Sequence, residues 1–176
     1  PDLHSFPTRR SSDLILVLPL YPQYCAATTG STFDKVTEIL RNWRWIPEIR
    51  FVNNYFEESM YIECLVKSIK ESWKKSGKAQ KLIFSYHGVP KKYLLKGDPY
   101  YCFCQKTTRL VAERMKLKKK DYITTFQSKF GPGDWLQPYT DKTLEELPKK
   151  GIKKIHILSP GFSADCLETL EELEVQ

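Results

Sequence analysis

The stretch Lys81-Leu-Ile-Phe-Ser-Tyr-His-Gly-Val-Pro90 decides the fold of this chain. Its apolar run at positions 82–84 is bounded by turn residues and predicts a buried strand of a parallel sheet. Pro90 argues against a longer strand, because proline has no N–H to donate to a sheet ladder. His87 and Gly88 therefore stand at the carboxyl end of a strand, which is where open α/β sheets bind their ligands. A histidine that is merely exposed to solvent is the alternative, and this stretch alone does not decide between the two.

Around this strand, short apolar runs alternate with amphipathic helical patterns. Further strands are predicted at residues 14–20, 49–52, 122–127 and 152–158, with helices or long loops between them. Such alternation with short connections is typical of an α/β fold, in which helices cover both faces of a parallel sheet.

Three of the predicted helices have recognisable ends. Ser31 is expected to cap a helix whose apolar face reaches Trp43. Asp98 followed by Pro99 is the favoured combination of a cap and a first helical residue. Gly151 is expected to end the helix that precedes the last strand.

The composition is that of a globular protein. The 176 residues are 41% hydrophobic and 28% charged, enough for one domain or slightly more with its own core. The formal net charge of +7 suits an anionic partner, but the lysines are dispersed, so a solvated surface is the better explanation. No apolar run approaches the ~18 residues of a membrane span, and no signal peptide is recognisable. We therefore expect a cytoplasmic protein that does not bind nucleic acid, with peripheral contact with a membrane left open.

Two further features limit the possible functions. The five cysteines, at positions 25, 64, 102, 104 and 166, form neither a disulfide framework nor pairs with zinc-site spacing. Reduced thiols and no permanently bound cofactor are therefore expected. Residues 1–13 have no hydrophobic period and contain the polar run Arg9-Arg-Ser-Ser-Asp13, so we interpret them as a disordered or non-native tail.

A second candidate for chemistry lies near residue 168. Asp165 and Glu168 have the spacing of a capping box, which would be a purely structural role. Glu168, Glu172 and Gln176 also fall at i, i+4 and i+8 and form a row along one helix face. A row of acids leading to the imidazole of His87 indicates a path for a divalent cation. Imidazole with carboxylate suits iron, zinc or nickel better than calcium.

Several motifs, in order and with matching spacing over about residues 15–176, resemble those of the ferrochelatases, the bacterial type in particular. They are Leu20-Tyr-Pro-Gln-Tyr24 with Thr28-Thr-Gly-Ser31, Leu82-Ile-Phe-Ser-Tyr-His-Gly-Val-Pro90, Gly97-Asp-Pro-Tyr100, Thr125-Phe-Gln-Ser-Lys-Phe-Gly131, Trp135-Leu-Gln-Pro-Tyr-Thr-Asp141 and Pro160-Gly-Phe-Ser-Ala-Asp-Cys-Leu-Glu-Thr-Leu170.

This resemblance implies a lyase that inserts ferrous iron into protoporphyrin IX and releases two protons, the terminal step of haem biosynthesis. It also implies two Rossmann-like chelatase domains with the porphyrin between them. Residues 14–28 would be the end of the first domain, and residues 29–176 a second domain truncated at its last helix. His87 and Glu168 would be the catalytic pair, and Glu172 would join them in binding the metal. The division of metal delivery and pyrrole deprotonation between His87 and Glu168 is left open.

The resemblance also implies contacts with the porphyrin. Positions of the pocket wall are matched by Tyr86, Pro90, Trp135 and Leu136, and positions that meet a propionate by Ser128 and Lys129. A place in the core for Trp135 and a solvated ammonium for Lys129 are the alternatives.

Parts of the family pattern are absent from the chain. We expect that most of the first domain and the final helix are missing and that this chain alone has little or no activity. An iron–sulfur cluster is not supported. Two other functions are weighed: a cobalt chelatase, which would favour a second histidine near Cys166, and a non-catalytic α/β module that binds an anionic ligand. A nucleic-acid-binding version of that module would have a clustered basic face.

Overall fold

The computed structural model describes residues 14–164 and 166–169, so the predicted tail, Asp165 and Glu172 lie outside the described residues. Strands and helices alternate along the described chain, in the order β1 (Leu14–Val17), α1 (Ser31–Leu40), β2 (Glu48–Phe51), α2 (Ser59–Ser76), β3 (Lys81–His87), α3 (Lys91–Leu95), α4 (Tyr100–Arg114), β4 (Tyr122–Gln127), α5 (Thr140–Glu146) and β5 (Ile155–Leu158). Among these residues, no helix has both the length and the apolar character needed to cross a bilayer.

The strands pair in parallel, which confirms the predicted α/β class, but they form two sheets rather than one. In the larger sheet β3 lies between β4 and β5. In the smaller sheet β1 pairs with β2, from Leu14 opposite Glu48 to Val17 opposite Phe51. The assignment of residues 14–28 to a preceding domain stays a prediction.

Helices cover both faces of the β3 strand, whose residues between Lys81 and His87 are all buried. Leu82, Phe84 and Tyr86 point to one face, where they share a core with apolar residues of α2 and α4. Ser85 points to the opposite face, where its hydroxyl lies 2.8 Å from the hydroxyl of Thr140 at the start of α5. Because β3 is held from both faces in the middle of the sheet, His87 at its end has a rigid support.

The predicted helix end at Gly151 is confirmed, whereas the predicted start at Asp98 is shifted by one residue, because Pro99 is the N-cap of α4. The Asp98 carboxylate accepts a hydrogen bond of 2.9 Å from Tyr100 N in the first turn of α4. Its second oxygen accepts one of 2.8 Å from Ala26 N, so Asp98 also ties the loop after β1 to this helix. Gly151 ends the helical segment after α5 with a left-handed backbone, φ 77°.

Other predicted boundaries were wrong. Ser31 does not cap α1, because a π-helical turn at Ala26–Gly30 leads directly into the helix and Ser31 bonds back to the carbonyl of Thr28. The helix ends at Leu40, before Trp43. The first strand ends at Val17 rather than at residue 20. Apolar side chains nevertheless continue on the surface there, with Leu16, Leu18 and Leu20 all at least half exposed.

One histidine links a strand to a helix far from the carboxyl ends of the strands. His156 of β5 lies between two serines of α2, with Ser72 Oγ 3.3 Å from Nδ1 and Ser76 Oγ 3.3 Å from Nε2. Partial burial, and secondarily the charge of Lys154, lower the pKa of His156. The folded state therefore binds a proton at this ring more weakly than the unfolded state does.

We expect the free energy of unfolding to fall as the pH drops below about 6.5 and through the lower pKa of folded His156, because protons then favour the unfolded chain. Chemical denaturation at about pH 7.5 and about pH 5 measures this difference. In His156→Gln, which keeps a donor and an acceptor without titrating, the difference should shrink. An equal pH dependence in this variant and the unsubstituted chain would contradict the assignment to His156.

Candidate active site

The imidazole of His87 stands at the carboxyl edge of the larger sheet. His87 is the last residue of β3 and pairs with Gln127, the last residue of β4. Its main-chain carbonyl accepts a 3.0 Å hydrogen bond from the Tyr100 hydroxyl, which fixes the strand end against α4. The side chain is half-buried, so it is supported by the protein and still accessible to a ligand.

The hydrogen bond of the ring selects one tautomer. His87 Nδ1 lies 2.6 Å from the carbonyl oxygen of Gly88. Because a carbonyl oxygen only accepts, Nδ1 carries the hydrogen, and in the neutral ring Nε2 then presents a lone pair. A nitrogen in this state can accept a proton or bind a metal ion.

Gly88 allows the two strands to stay close beyond their ends. Its N–H donates to Gln127 O at 2.7 Å. A Cβ added at Gly88 would lie 2.7 Å from that same oxygen and 3.3 Å from Cε3 of Trp135. No other residue type fits here without moving the backbone that carries His87.

The long loop after β4 returns to this point and brings Trp135 beside it. Leu136 N donates to Val89 O at 3.0 Å, and Pro90 and Trp135 form an isolated antiparallel bridge. The Trp135 ring therefore lies against the backbone at Gly88, next to His87. The sequence alone had left open whether this ring would be near the site or under the loop.

The segment that carries Glu168 is fastened on several sides. The carbonyl of Pro160 accepts from the Tyr61 hydroxyl at 2.5 Å, and Ser163 Oγ donates to Leu20 O at 3.1 Å. Further along, the side-chain amide of Gln127 donates to the carbonyl of Glu168 at 3.3 Å. These contacts bring residue 168 back to the end of β4, 41 residues away in the chain.

The predicted capping box involves Asp165, which lies outside the described residues, so it stays a prediction. Thr169 Oγ1 accepts a 3.0 Å hydrogen bond from Cys166 N, which satisfies the start of this helical turn. The carboxylate of Glu168 interacts with the Cys166 side chain.

His87 and Glu168 are close enough to interact electrostatically. The pKa of the Glu168 carboxyl is lowered first by a hydrogen bond from the Cys166 side chain, and then by its own main-chain N–H. Positive charge on His87 lowers the pKa as well, while partial burial opposes the change. Glu168 is therefore an anion at neutral pH and lies within the field of the imidazole.

The other predicted site residues are placed as follows. Tyr86 is fully buried, with its hydroxyl 3.0 Å from the hydroxyl of Thr108, and Leu136 is buried in the same core. Both support the strand ends from within, and direct contact with a substrate stays a prediction for each. Ser128 has a left-handed backbone, φ 59°. The Lys129 ammonium lies 5.0 Å from the centre of the Tyr139 ring, an arrangement that neither alternative from the sequence included.

Only some of the metal-binding residues predicted from the sequence lie among the described residues. Glu172 lies outside the described residues. Within the described ranges, 14–164 and 166–169, no three His, Cys, Asp or Glu side chains cluster closely enough to hold a metal ion. His87 and Glu168 are thus a pair, and the role of Glu172 stays a prediction.

Comparison with known proteins identifies the type of molecule. The family model of the ferrochelatases matches residues 8–176 of the chain. The chain belongs to the ferrochelatase family. It is 57% identical over 162 residues to the ferrochelatase of Pseudoalteromonas atlantica, covering 92% of this chain and 45% of that protein. Ferrochelatase 2 of Shewanella oneidensis is 53% identical over 165 residues, covering 94% of this chain and 50% of that protein.

These matches extend over most of the chain but only part of the relatives. The ferrochelatase of Marinobacter nauticus repeats the pattern, with 57% identity over 90% of this chain and 43% of that protein. The chain thus spans about half the length of the curated ferrochelatases that it matches.

The sequence reasoning missed Gln127 as a site residue. It is 4% exposed and connects the end of β4 to Glu168. The available signal was a polar residue predicted to end a buried strand beside His87, where parallel strand ends meet.

The close approach at Gly88 gives a direct test of this site's rigidity. Gly88→Ala should lower the free energy of unfolding by about 1–3 kcal/mol, because the new methyl group meets a main-chain oxygen that has to shift. Urea denaturation measures the change.

Gly161→Ala is the matched control. Its added Cβ would have its nearest neighbour at 3.6 Å, and neither glycine has a left-handed backbone. We expect little change in this variant. Equal stabilities of the two variants would contradict a sterically required glycine at position 88.

Proposed function

We propose that a full-length protein containing this chain inserts ferrous iron into protoporphyrin IX, producing protohaem and two protons. The observation that supports this most directly is that Gln127, the ladder partner of His87, also bonds to Glu168, so that both residues lie at the strand ends of a ferrochelatase-family chain. In this proposal iron is a substrate rather than a resident cofactor, and no iron–sulfur cluster is invoked. The protein would work in the cytoplasm, with any membrane contact peripheral, and without a nucleic-acid partner.

The two side chains supply what metal insertion needs. Two pyrrole N–H protons have to leave the macrocycle while a cation enters its centre. Nε2 of His87 offers a lone pair that can bind the cation or accept a proton, because Nδ1 is occupied at Gly88 O. The Glu168 carboxylate offers a negative charge that can attract the cation and accept a second proton. Glu172 would extend this acidic path.

The neighbouring residues suit a flat apolar substrate. The Trp135 ring lies against Gly88, and Trp135 forms a β-bridge with Pro90. A rigid, largely apolar surface therefore adjoins His87. Such a surface can hold a macrocycle in a bent form that exposes its nitrogen lone pairs. Tyr86 and Leu136 would contribute from behind this wall. Ser128 and Lys129 would meet a propionate, which requires Lys129 to leave the Tyr139 ring.

A chimaeric enzyme tests the proposal. Residues 14–176 of this chain replace the matching segment of the Pseudoalteromonas atlantica ferrochelatase, with which it shares 57% identity. We expect the chimaera to convert ferrous iron and protoporphyrin IX into haem, measured by loss of porphyrin fluorescence and gain of haem absorbance. His87→Ala and Glu168→Gln should each lower kcat by about 10²–10⁴-fold, the usual contribution of a positioned acid or base.

Two comparisons complete the experiment. The 176-residue chain alone should show little or no turnover, because it spans only about half the length of the ferrochelatases that it matches. Competition between ferrous iron and cobalt in the chimaera should favour iron, and preference for cobalt would indicate the alternative chelatase. A folded chimaera without turnover, or full activity in His87→Ala, would contradict the proposed function.

A further inference from the structure

Gln127 contacts both halves of the candidate site at once. Its main-chain carbonyl accepts from Gly88 N at 2.7 Å, directly beside His87. Its side-chain amide donates to the main-chain carbonyl of Glu168 at 3.3 Å. The residue therefore connects the segment that carries the imidazole to the segment that carries the carboxylate.

The orientation of the Gln127 amide follows from its neighbours. The carbonyl of Glu168 can only accept, so the amide nitrogen has to face it. The amide oxygen then faces Ser85, whose hydroxyl donates to it at 2.7 Å. Each end of the amide has a partner of the right kind, and turning the amide over would set two oxygens against each other at Glu168.

Ser85 is itself held by buried hydroxyls. Its Oγ lies 2.8 Å from the hydroxyl of Thr140, which lies 2.9 Å from the hydroxyl of Thr125. All three side chains and Gln127 are buried, between 0% and 4% exposed. Apolar side chains would fill this space without the need for polar partners. Buried polar groups that bond to one another instead favour one geometry, because a displaced group would lose its partner.

We propose that Gln127 is a positioning residue that holds Glu168 beside His87, with Ser85 fixing the direction of the Gln127 amide. The inference rests on the proposed function for its catalytic consequence, but not for its geometry. Without the amide donor, the Glu168 segment loses its link to the end of β4, and the more distant bonds at Pro160 and Ser163 then hold the carboxylate relative to the imidazole.

The first measurement concerns geometry alone. In the 176-residue chain, Gln127→Met keeps the side-chain length and removes the donor. We expect the carbonyl ¹³C resonance of Glu168 to shift in NMR spectra of Gln127→Met, and to shift less in Ser85→Ala, where the amide remains but is no longer held. Thr143→Val is the control, since it also removes one buried hydroxyl, but one that donates to Tyr139 O.

The second measurement concerns the reaction. In the chimaera, Gln127→Met should lower kcat/KM for ferrous iron by about 10–100-fold, as loss of an outer partner of a metal-binding group does. KM for protoporphyrin IX should stay close to its original value, which general loss of structure would not produce. Ser85→Ala should have a smaller effect of the same kind, and Thr143→Val none. Ser85→Ala also serves if Gln127→Met does not fold.

The outcomes separate the two proposals. An unshifted Glu168 carbonyl in folded Gln127→Met would overturn the positioning role, and so would a shifted carbonyl with unchanged kcat/KM for iron. If the unsubstituted chimaera is inactive while the carbonyl still shifts in Gln127→Met, the proposed function fails and the role of Gln127 in positioning Glu168 is supported.

Discussion

The candidate site depends on one close contact between main chains, the 2.7 Å hydrogen bond from Gly88 N to Gln127 O. It continues the parallel pairing of β3 and β4 past the last ladder pair, His87 with Gln127. Because a side chain on residue 88 would occupy the space of that oxygen, the contact needs glycine. It fixes the direction in which the imidazole leaves the sheet and leaves room for Trp135 alongside.

The chemistry of the site follows from where the backbone carbonyls lie. The carbonyl of Gly88 occupies Nδ1 of His87 and so leaves the lone pair on Nε2. The carbonyl of Glu168 is held by an amide, and a hydrogen bond from the Cys166 side chain lowers the pKa of its carboxyl. A nitrogen lone pair and a carboxylate thus belong to the same end of the sheet, each on a segment that other parts of the chain hold in place. This arrangement suits a reaction in which a cation enters as protons leave.

Local chemistry made much of this structure predictable. The buried β3 strand, the bond that Asp98 accepts at the start of α4 and the left-handed Gly151 follow from residue types whose preferences act over one turn or one strand. The position of His87 at a strand end follows from the same run. Motif resemblance supplied Glu168, whose residue type and spacing alone are equally compatible with a capping role.

Contacts over long sequence distances could not be predicted in this way. The division into two sheets depends on which strands meet, and local patterns are the same in either case. The second bond of Asp98, to Ala26, and the bond between Gln127 and Glu168 join residues 72 and 41 positions apart. The prediction for Ser31 was wrong because a serine looks the same in the sequence at a helix cap and inside a helix. The two differ in the backbone before the serine, and here that backbone is already helical.

The leucines that follow one another along the surface at and after β1 have a practical consequence. Leu16, Leu18 and Leu20 leave between 50% and 60% of their surfaces in water. Each square ångström of hydrocarbon hidden from water gains about 25 cal/mol, so neighbouring molecules lower their free energy by pressing such surfaces together. The chain will therefore tend to self-associate in concentrated solution, and mild detergent or a low protein concentration should keep the protein monodisperse.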